Sequence, residues 1–224
     1  MDELLNTNSL LYEISVRLRR DGVLGTARTA IKFLRPQKDL FDHRNGTNTA
    51  KVVPLWKMRV QSPNKTIAFR YETIDEREVL DALQKLEIDP EQFSFVDLGC
   101  GKGRILIIAG RYGFNSITGV EFSSDLAAMA RRNLKIVGAH RVSVLEGDAA
   151  DYSFNQRPTV LYLFNPFGLA LMKAVLANLR IAKPHPLYIV YVNPVCADLF
   201  DRCDFLRRHV TFSSEHEIAI WCSR

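Results

Sequence analysis

The chain has 224 residues, 47% hydrophobic and 25% charged, with 12 glycines and four cysteines. That composition excludes a collagen-like, low-complexity or disordered chain and fits one large domain, or one domain with an appended segment. The net charge of +5 is uneven, with 13 Lys and Arg against 6 Asp and Glu in residues 1–70, and 17 against 19 in residues 71–224.

Residues 3–20 and 22–35 read as two helices, the second carrying Val23, Leu24, Ala27, Ala30, Ile31 and Leu34 at helical spacing before Pro36 ends it. An irregular stretch follows, with Asn45-Gly46 as a turn signal and Pro54 and Pro63 as breakers. A helix is expected over 75–87, with Asp75 as N-cap and Glu78 completing a capping box. Strands and helices then alternate. The expected strands are Phe93–Leu98, Ser116–Glu121, Val142–Glu146, Val160–Asn165 and Leu187–Asn193, and the expected helices are Arg104–Arg111, Asp125–Val137 and Ala170–Ile181. His209–Phe212 and Glu217–Cys222 read as a closing antiparallel pair. Apolar strands alternating with helices imply an α/β fold, a parallel sheet covered on both faces and doubly wound. The division is a basic N-terminal helical segment and lid over 1–74, then a domain over 75–224.

No run of about 18 apolar residues marks a membrane-spanning helix. The start, MDELLNTNSL, has acids where a secretion signal needs bases. Cys100, Cys196, Cys203 and Cys222 show no C-x-x-C spacing. The expectation is a cytoplasmic protein with reduced thiols.

The strongest local signal is Val96-Asp97-Leu98-Gly99-Cys100-Gly101-Lys102-Gly103-Arg104, a strand that runs into three alternate glycines and then a helix. Glycines allow a tight turn and close approach to a ligand, and the helix start offers free N–H groups. Arg104 stands where a dinucleotide fingerprint needs its third glycine, and no P-loop is present. The D-x-G-x-G-x-G loop of S-adenosylmethionine enzymes remains, beside a purely structural turn. Glu121, at the end of the second strand, is placed to accept from both ribose hydroxyls. Asp148, after the third strand, can accept from an adenine amine; taken alone, Glu121 also reads as a surface acid and Asp148 as a turn aspartate. The fourth strand ends in Asn165-Pro166-Phe167-Gly168, at the sheet edge where ligands sit.

VDLGCGKGR, GVEFSSDL, EGDA and LYLFNPF, in that order, resemble the class I S-adenosylmethionine-dependent methyltransferases. The resemblance implies a Rossmann-like seven-stranded sheet ordered 3-2-1-4-5-7-6, with strand seven antiparallel. It implies that the loop with Asp97, Gly99, Gly101 and Gly103 holds the methionine part of S-adenosylmethionine. Glu121 would hold the ribose and Asp148 the adenine, with Ala149 lining the base pocket and Asn165 near the sulfonium. Upstream, FDHRNGTNT, SPNK and RYET resemble small bacterial methyltransferases of unclear substrate. RYET also resembles a segment of several protein-lysine methyltransferases, the non-SET histone type among them. By that similarity Tyr71 and Thr73 close over the methionine end; the alternative is Tyr71 as a packing residue.

Methyl transfer is an in-line displacement in which the cofactor carries the hard chemistry and the protein aligns the acceptor. No metal-ligand cluster or base motif is apparent, and the five histidines read as ordinary surface or core side chains. Asn165 and Phe167 are the candidate catalytic residues, orienting and walling an amine. The single proline departs from the [D/N]-P-P-[Y/F] pattern of adenine and glutamine methylation, and a strand-ending turn is the alternative. The expected acceptor is a protein side chain or a small metabolite. The other readings are a module that binds S-adenosylmethionine without transfer and acts through its basic N-terminal segment, nucleic acid as a disfavoured acceptor, and a disfavoured peripheral contact of the N-terminal helices with a membrane. No metal is expected.

Overall fold

The computed structural model describes residues 39–50, 74–164 and 167–224. The two N-terminal helices expected before Pro36 lie outside these residues. In chain order the elements are α1 (Leu40–Asn45), α2 (Glu76–Gln84), β1 (Ser94–Leu98), α3 (Arg104–Tyr112), β2 (Ser116–Glu121), α4 (Ser124–Ile136), β3 (Val142–Glu146) and β4 (Thr159–Phe164). They continue with α5 (Leu169–Ala182), β5 (Leu187–Val192), α6 (Ala197–Asp201), β6 (Leu206–Ser213) and β7 (Glu217–Ser223).

The strands form one seven-stranded sheet in the order β3-β2-β1-β4-β5-β7-β6. The first five are parallel, and β7 runs antiparallel to β5 and β6. This is the expected topology, and the predicted strands agree with it to within a few residues at their ends. Wholly apolar strands follow from burial on both faces. Val160 and Tyr162 of β4 join a core cluster with Leu83 of α2, Leu106 of α3 and Ala130 of α4. Leu161 and Leu163, the alternate residues, join a second cluster with Met172 and Val175 of α5 and Phe200 of α6. Period-two alternation thus assigns each β4 side chain to one helical layer or the other.

Two local expectations are corrected. The stretch after Pro36 is not wholly irregular, because it contains α1, capped by the Asp39 carboxylate on the N–H of Asp42 and ended by Gly46 at φ 66°. Six residues are too few to show periodicity. Asp75 does cap α2, accepting the N–H of Arg77 at 2.8 Å. Glu78, however, does not close a capping box. Its carboxylate turns to residues 214–216, where three donors converge on one oxygen.

Candidate functional site

The glycine loop connects β1 to α3 at the carboxyl edge of the parallel strands. Gly99, Gly101 and Gly103 all have positive φ, at 84°, 54° and 82°, which a side chain would strain. The loop is fastened to β2, since the Val120 carbonyl accepts the N–H groups of Gly99 at 2.8 Å and Cys100 at 3.0 Å. Beneath it, Gly119 leaves no room: a Cβ there would lie 2.6 Å from both Cys100 Sγ and Leu106 Cδ1. A fourth glycine that shapes this turn is therefore a strand residue outside the motif.

Glu121 is buried at the end of β2, accepting the N–H of Gly101 on Oε2 and that of Ser123 on Oε1, each at 2.9 Å. Burial pushes its carboxyl up to about 7, against the opposing pull of its N–H donors. Asp97 is also buried, and its Oδ2 has no hydrogen-bond partner. Burial, and then the nearby Glu121 charge, hold it well above the usual carboxylate range. Tyr162, its cross-strand neighbour on β4, likewise has a buried hydroxyl without a partner. Asp148 caps a single 3-10 turn, Ala149–Asp151, accepting the Ala150 N–H at 2.9 Å, and Ala149 is buried beside it. The loop, Glu121 and Asp148 thus lie along one edge of the sheet, over three adjacent strands.

Residues 39–50 form a strap against the back of this loop. One Asp42 carboxylate gathers the Thr47 and Thr49 hydroxyls, each at 2.7 Å, and the N–H groups of Thr49 and Ala50 at 2.8 and 2.7 Å. Burial raises its carboxyl, but these bonds outweigh that and hold it below the usual range. Arg104, the first residue of α3, points its buried guanidinium into the strap. It pairs with Asp39 at 2.6 Å, donates to Thr49 Oγ1 at 2.9 Å and the Ile74 carbonyl at 3.3 Å, and lies 4.7 Å from the Phe41 ring centroid. Asn133 of α4 ties the two pieces again, accepting the Asn48 N–H at 3.1 Å and donating to the Lys102 carbonyl at 3.0 Å. FDHRNGTNT stood out in sequence without a role, and this packing supplies one.

Tyr71, Thr73 and Asn165 lie outside the described residues. Phe167 is buried in the cluster beneath α5. On the opposite face, Phe164 at the end of β4 meets His216 edge to face, with ring centroids 5.3 Å apart. Sequence reasoning passed over His216 because no motif marks it and its partner Glu78 is 138 residues away. Among the described residues, no three His, Cys, Asp or Glu side chains are arranged to hold a metal ion, and no helix is long and apolar enough to cross a membrane.

Residues 95–182 match a family model described as a methyltransferase domain. An uncharacterized RNA methyltransferase of Protochlamydia amoebophila (strain UWE25) is 27% identical over 129 residues, 52% of this chain and 30% of that protein. The chain thus matches less than a third of that relative's length. Among solved structures, an RNA methyltransferase from Salinibacter ruber in complex with S-adenosyl-L-homocysteine is similar at TM-score 0.55 and 23% identity, covering 67% of this chain and 93% of that one. Magnesium protoporphyrin IX methyltransferase from Synechocystis PCC 6803 with bound S-adenosylmethionine is similar at TM-score 0.54 and 15% identity, covering 66% and 79%. At these identities the two structures speak for the fold. The RNA methyltransferase relative does not fit the expectation that disfavoured nucleic acid.

Proposed function

We propose that this chain, which carries a class I S-adenosylmethionine-dependent methyltransferase domain, transfers a methyl group to RNA. The observation that carries methyl transfer is the row of Asp97, the glycine loop, Glu121 and Asp148 along one sheet edge. These residues suit the cofactor. The orphaned Asp97 oxygen answers the ammonium of its methionine end, and glycines at positive φ leave the backbone open beside it. Glu121 would accept from the ribose hydroxyls and Asp148 from the adenine amine, while Ala149 packs under the base. When bound, S-adenosylmethionine supplies a methyl carbon activated by a positive sulfur. The chain's own work is to hold that carbon in line with the acceptor and keep water out.

RNA is placed first for two reasons. The 27%-identical relative is named as an RNA methyltransferase. The excess of 13 basic over 6 acidic residues in residues 1–70 suits a polyanion. Asn165-Pro166-Phe167 supports a second reading, an amine on a protein or metabolite, although the burial of Phe167 favours a turn that shapes the pocket. The test has two parts. Calorimetry should show S-adenosyl-L-homocysteine bound by the wild type and weakened in Glu121→Ala. Tritiated S-adenosylmethionine should then label unmodified transcribed ribosomal RNA. Label in the protein or metabolite fraction of a bacterial lysate, and none in RNA, would move the assignment to the second reading.

A further inference from the structure

His216 stands in the turn between β6 and β7, at the same sheet edge as the glycine loop. The register fixes this: β5 ends at Val192, which pairs with Ile218, so the residues before β7 sit beyond the carboxyl ends of the parallel strands. The imidazole reaches back over β5 to the end of β4 and packs on Phe164. Phe164, Tyr162 and Val192 belong to the same sheet face, which also carries α2.

Glu78 of α2 controls this turn. Its Oε1 accepts the Ser214 hydroxyl and the N–H groups of Glu215 and His216, the latter two at 3.0 Å. Its Oε2 lies 2.8 Å from His216 Nδ1. The carboxylate is 6% exposed and the imidazole 21% exposed. Burial raises the Glu78 carboxyl, but its donors outweigh that and hold it below the ordinary value. An ionised carboxylate fixed on Nδ1 favours the tautomer with the proton on Nδ1, which leaves the lone pair on Nε2 of a partly exposed ring. A buried acid orienting a partly exposed histidine, beside the strand end where the acceptor would lie, is the arrangement a general base needs.

We propose that His216, oriented by Glu78, takes the proton from the methyl acceptor. The inference rests on the methyl-transfer reading. In the step, the acceptor's lone pair forms the bond to the methyl carbon as the carbon–sulfur bond breaks, its electron pair staying on sulfur. The acceptor X–H bond breaks in turn, its proton passing to Nε2, and the imidazolium is paired with the Glu78 carboxylate until solvent takes the proton. The acceptor class follows: an atom that carries a proton, such as a hydroxyl or an N–H, rather than a bare ring nitrogen.

The experiment uses the full chain and tritiated S-adenosylmethionine with the RNA, protein and metabolite fractions. In the labelled fraction, His216→Gln should lower kcat by about 100-fold or more, while S-adenosyl-L-homocysteine affinity by calorimetry stays within about twofold. Added imidazole should restore part of the rate of His216→Ala, which a packing role would not allow. Nitrogen-15 histidine spectra at pH 8 should show His216 with its proton on Nδ1, and Glu78→Gln, checked by thermal melting, should disturb that signal. Wild-type kcat in His216→Gln, no imidazole rescue, or a proton on Nε2 would overturn the base assignment. A wild type that labels no fraction would overturn the methyl-transfer reading itself, and the role of His216 with it.

Discussion

The carboxylate of Glu121 accepts the backbone N–H of Gly101 at 2.9 Å, so the acid proposed for the ribose also holds the glycine loop in shape. Its second oxygen is committed to the Ser123 N–H at the start of α4. One side chain therefore couples the ends of β1 and β2, and on the ribose proposal its protonation should act on the free fold and on cofactor binding in opposite ways.

With its carboxyl raised from 4.5 to about 7, folded Glu121 holds a proton that the unfolded chain releases. The free protein should lose stability as pH rises from about 5 to 7. The ionised form is the better acceptor for hydroxyls, so affinity for S-adenosyl-L-homocysteine should rise over the same interval. Calorimetry from pH 6 to 8 checks this. Glu121→Gln should flatten the part near pH 7.

Asp97 sets stability against binding more sharply. Its buried Oδ2 has no partner, and ionising it in the free protein is unfavourable. Asp97→Asn should stabilise the free protein by about 1 kcal/mol at pH 8, with the gain growing as pH rises. It should also weaken S-adenosyl-L-homocysteine by about tenfold or more, through loss of a charge-assisted bond. Paired urea titration and calorimetry measure both; stability and affinity falling together would refute the trade.

Gly119→Ala should cost about 1–3 kcal/mol, as overpacking does. The added methyl would meet Cys100 and Leu106 at 2.6 Å. Adding Cys100→Ala should recover part of the loss, and urea midpoints of the single and double variants give the coupling directly.

Removing the Arg104 guanidinium takes the ion pair from Asp39 and one donor from the Thr49 hydroxyl, which keep their bonds to the Asp42 N–H and the Asp42 carboxylate. Arg104→Met should therefore lower stability by about 1–3 kcal/mol, at or below the range for a fully buried pair because Asp39 is partly exposed. Lysine should not restore it, because one ammonium cannot reach Asp39, Thr49 and the Ile74 carbonyl together. Equal midpoints for Arg104→Lys and wild type would show that charge alone suffices.

The sheet was readable because β1, β4 and β5 are short, largely apolar runs buried on two faces, and amphipathic helices separate β1 from β2, β2 from β3 and β4 from β5. The placement of Asp97, Glu121 and Asp148 along one sheet edge was readable because they fall at or just beyond strand ends in chain order. The strap and the dyad were not. Arg104 looked only like the residue that spoils a dinucleotide motif, and its partners lie 55 and 30 residues away. Glu78 fitted a capping box three residues after Asp75, yet the donors of the 214–216 turn are more numerous than one N-cap N–H. Such pairings are tertiary contacts, and no local period encodes them.

The strap also bears on how this chain can be recombined. Asp39, Thr49 and Asn48 reach α3 and α4 through Arg104 and Asn133. A graft that exchanges the basic first third at residue 75 would carry off half of each of these pairings and take Asp39, Thr49 and the Ile74 carbonyl from the Arg104 guanidinium. A viable chimera would need its seam before Asp39, or would have to bring a matching arginine and asparagine with the donor segment. The strap and the helices α3 and α4 behind the glycine loop thus pack as one unit, although 53 positions separate Ala50 from Arg104 in the primary order.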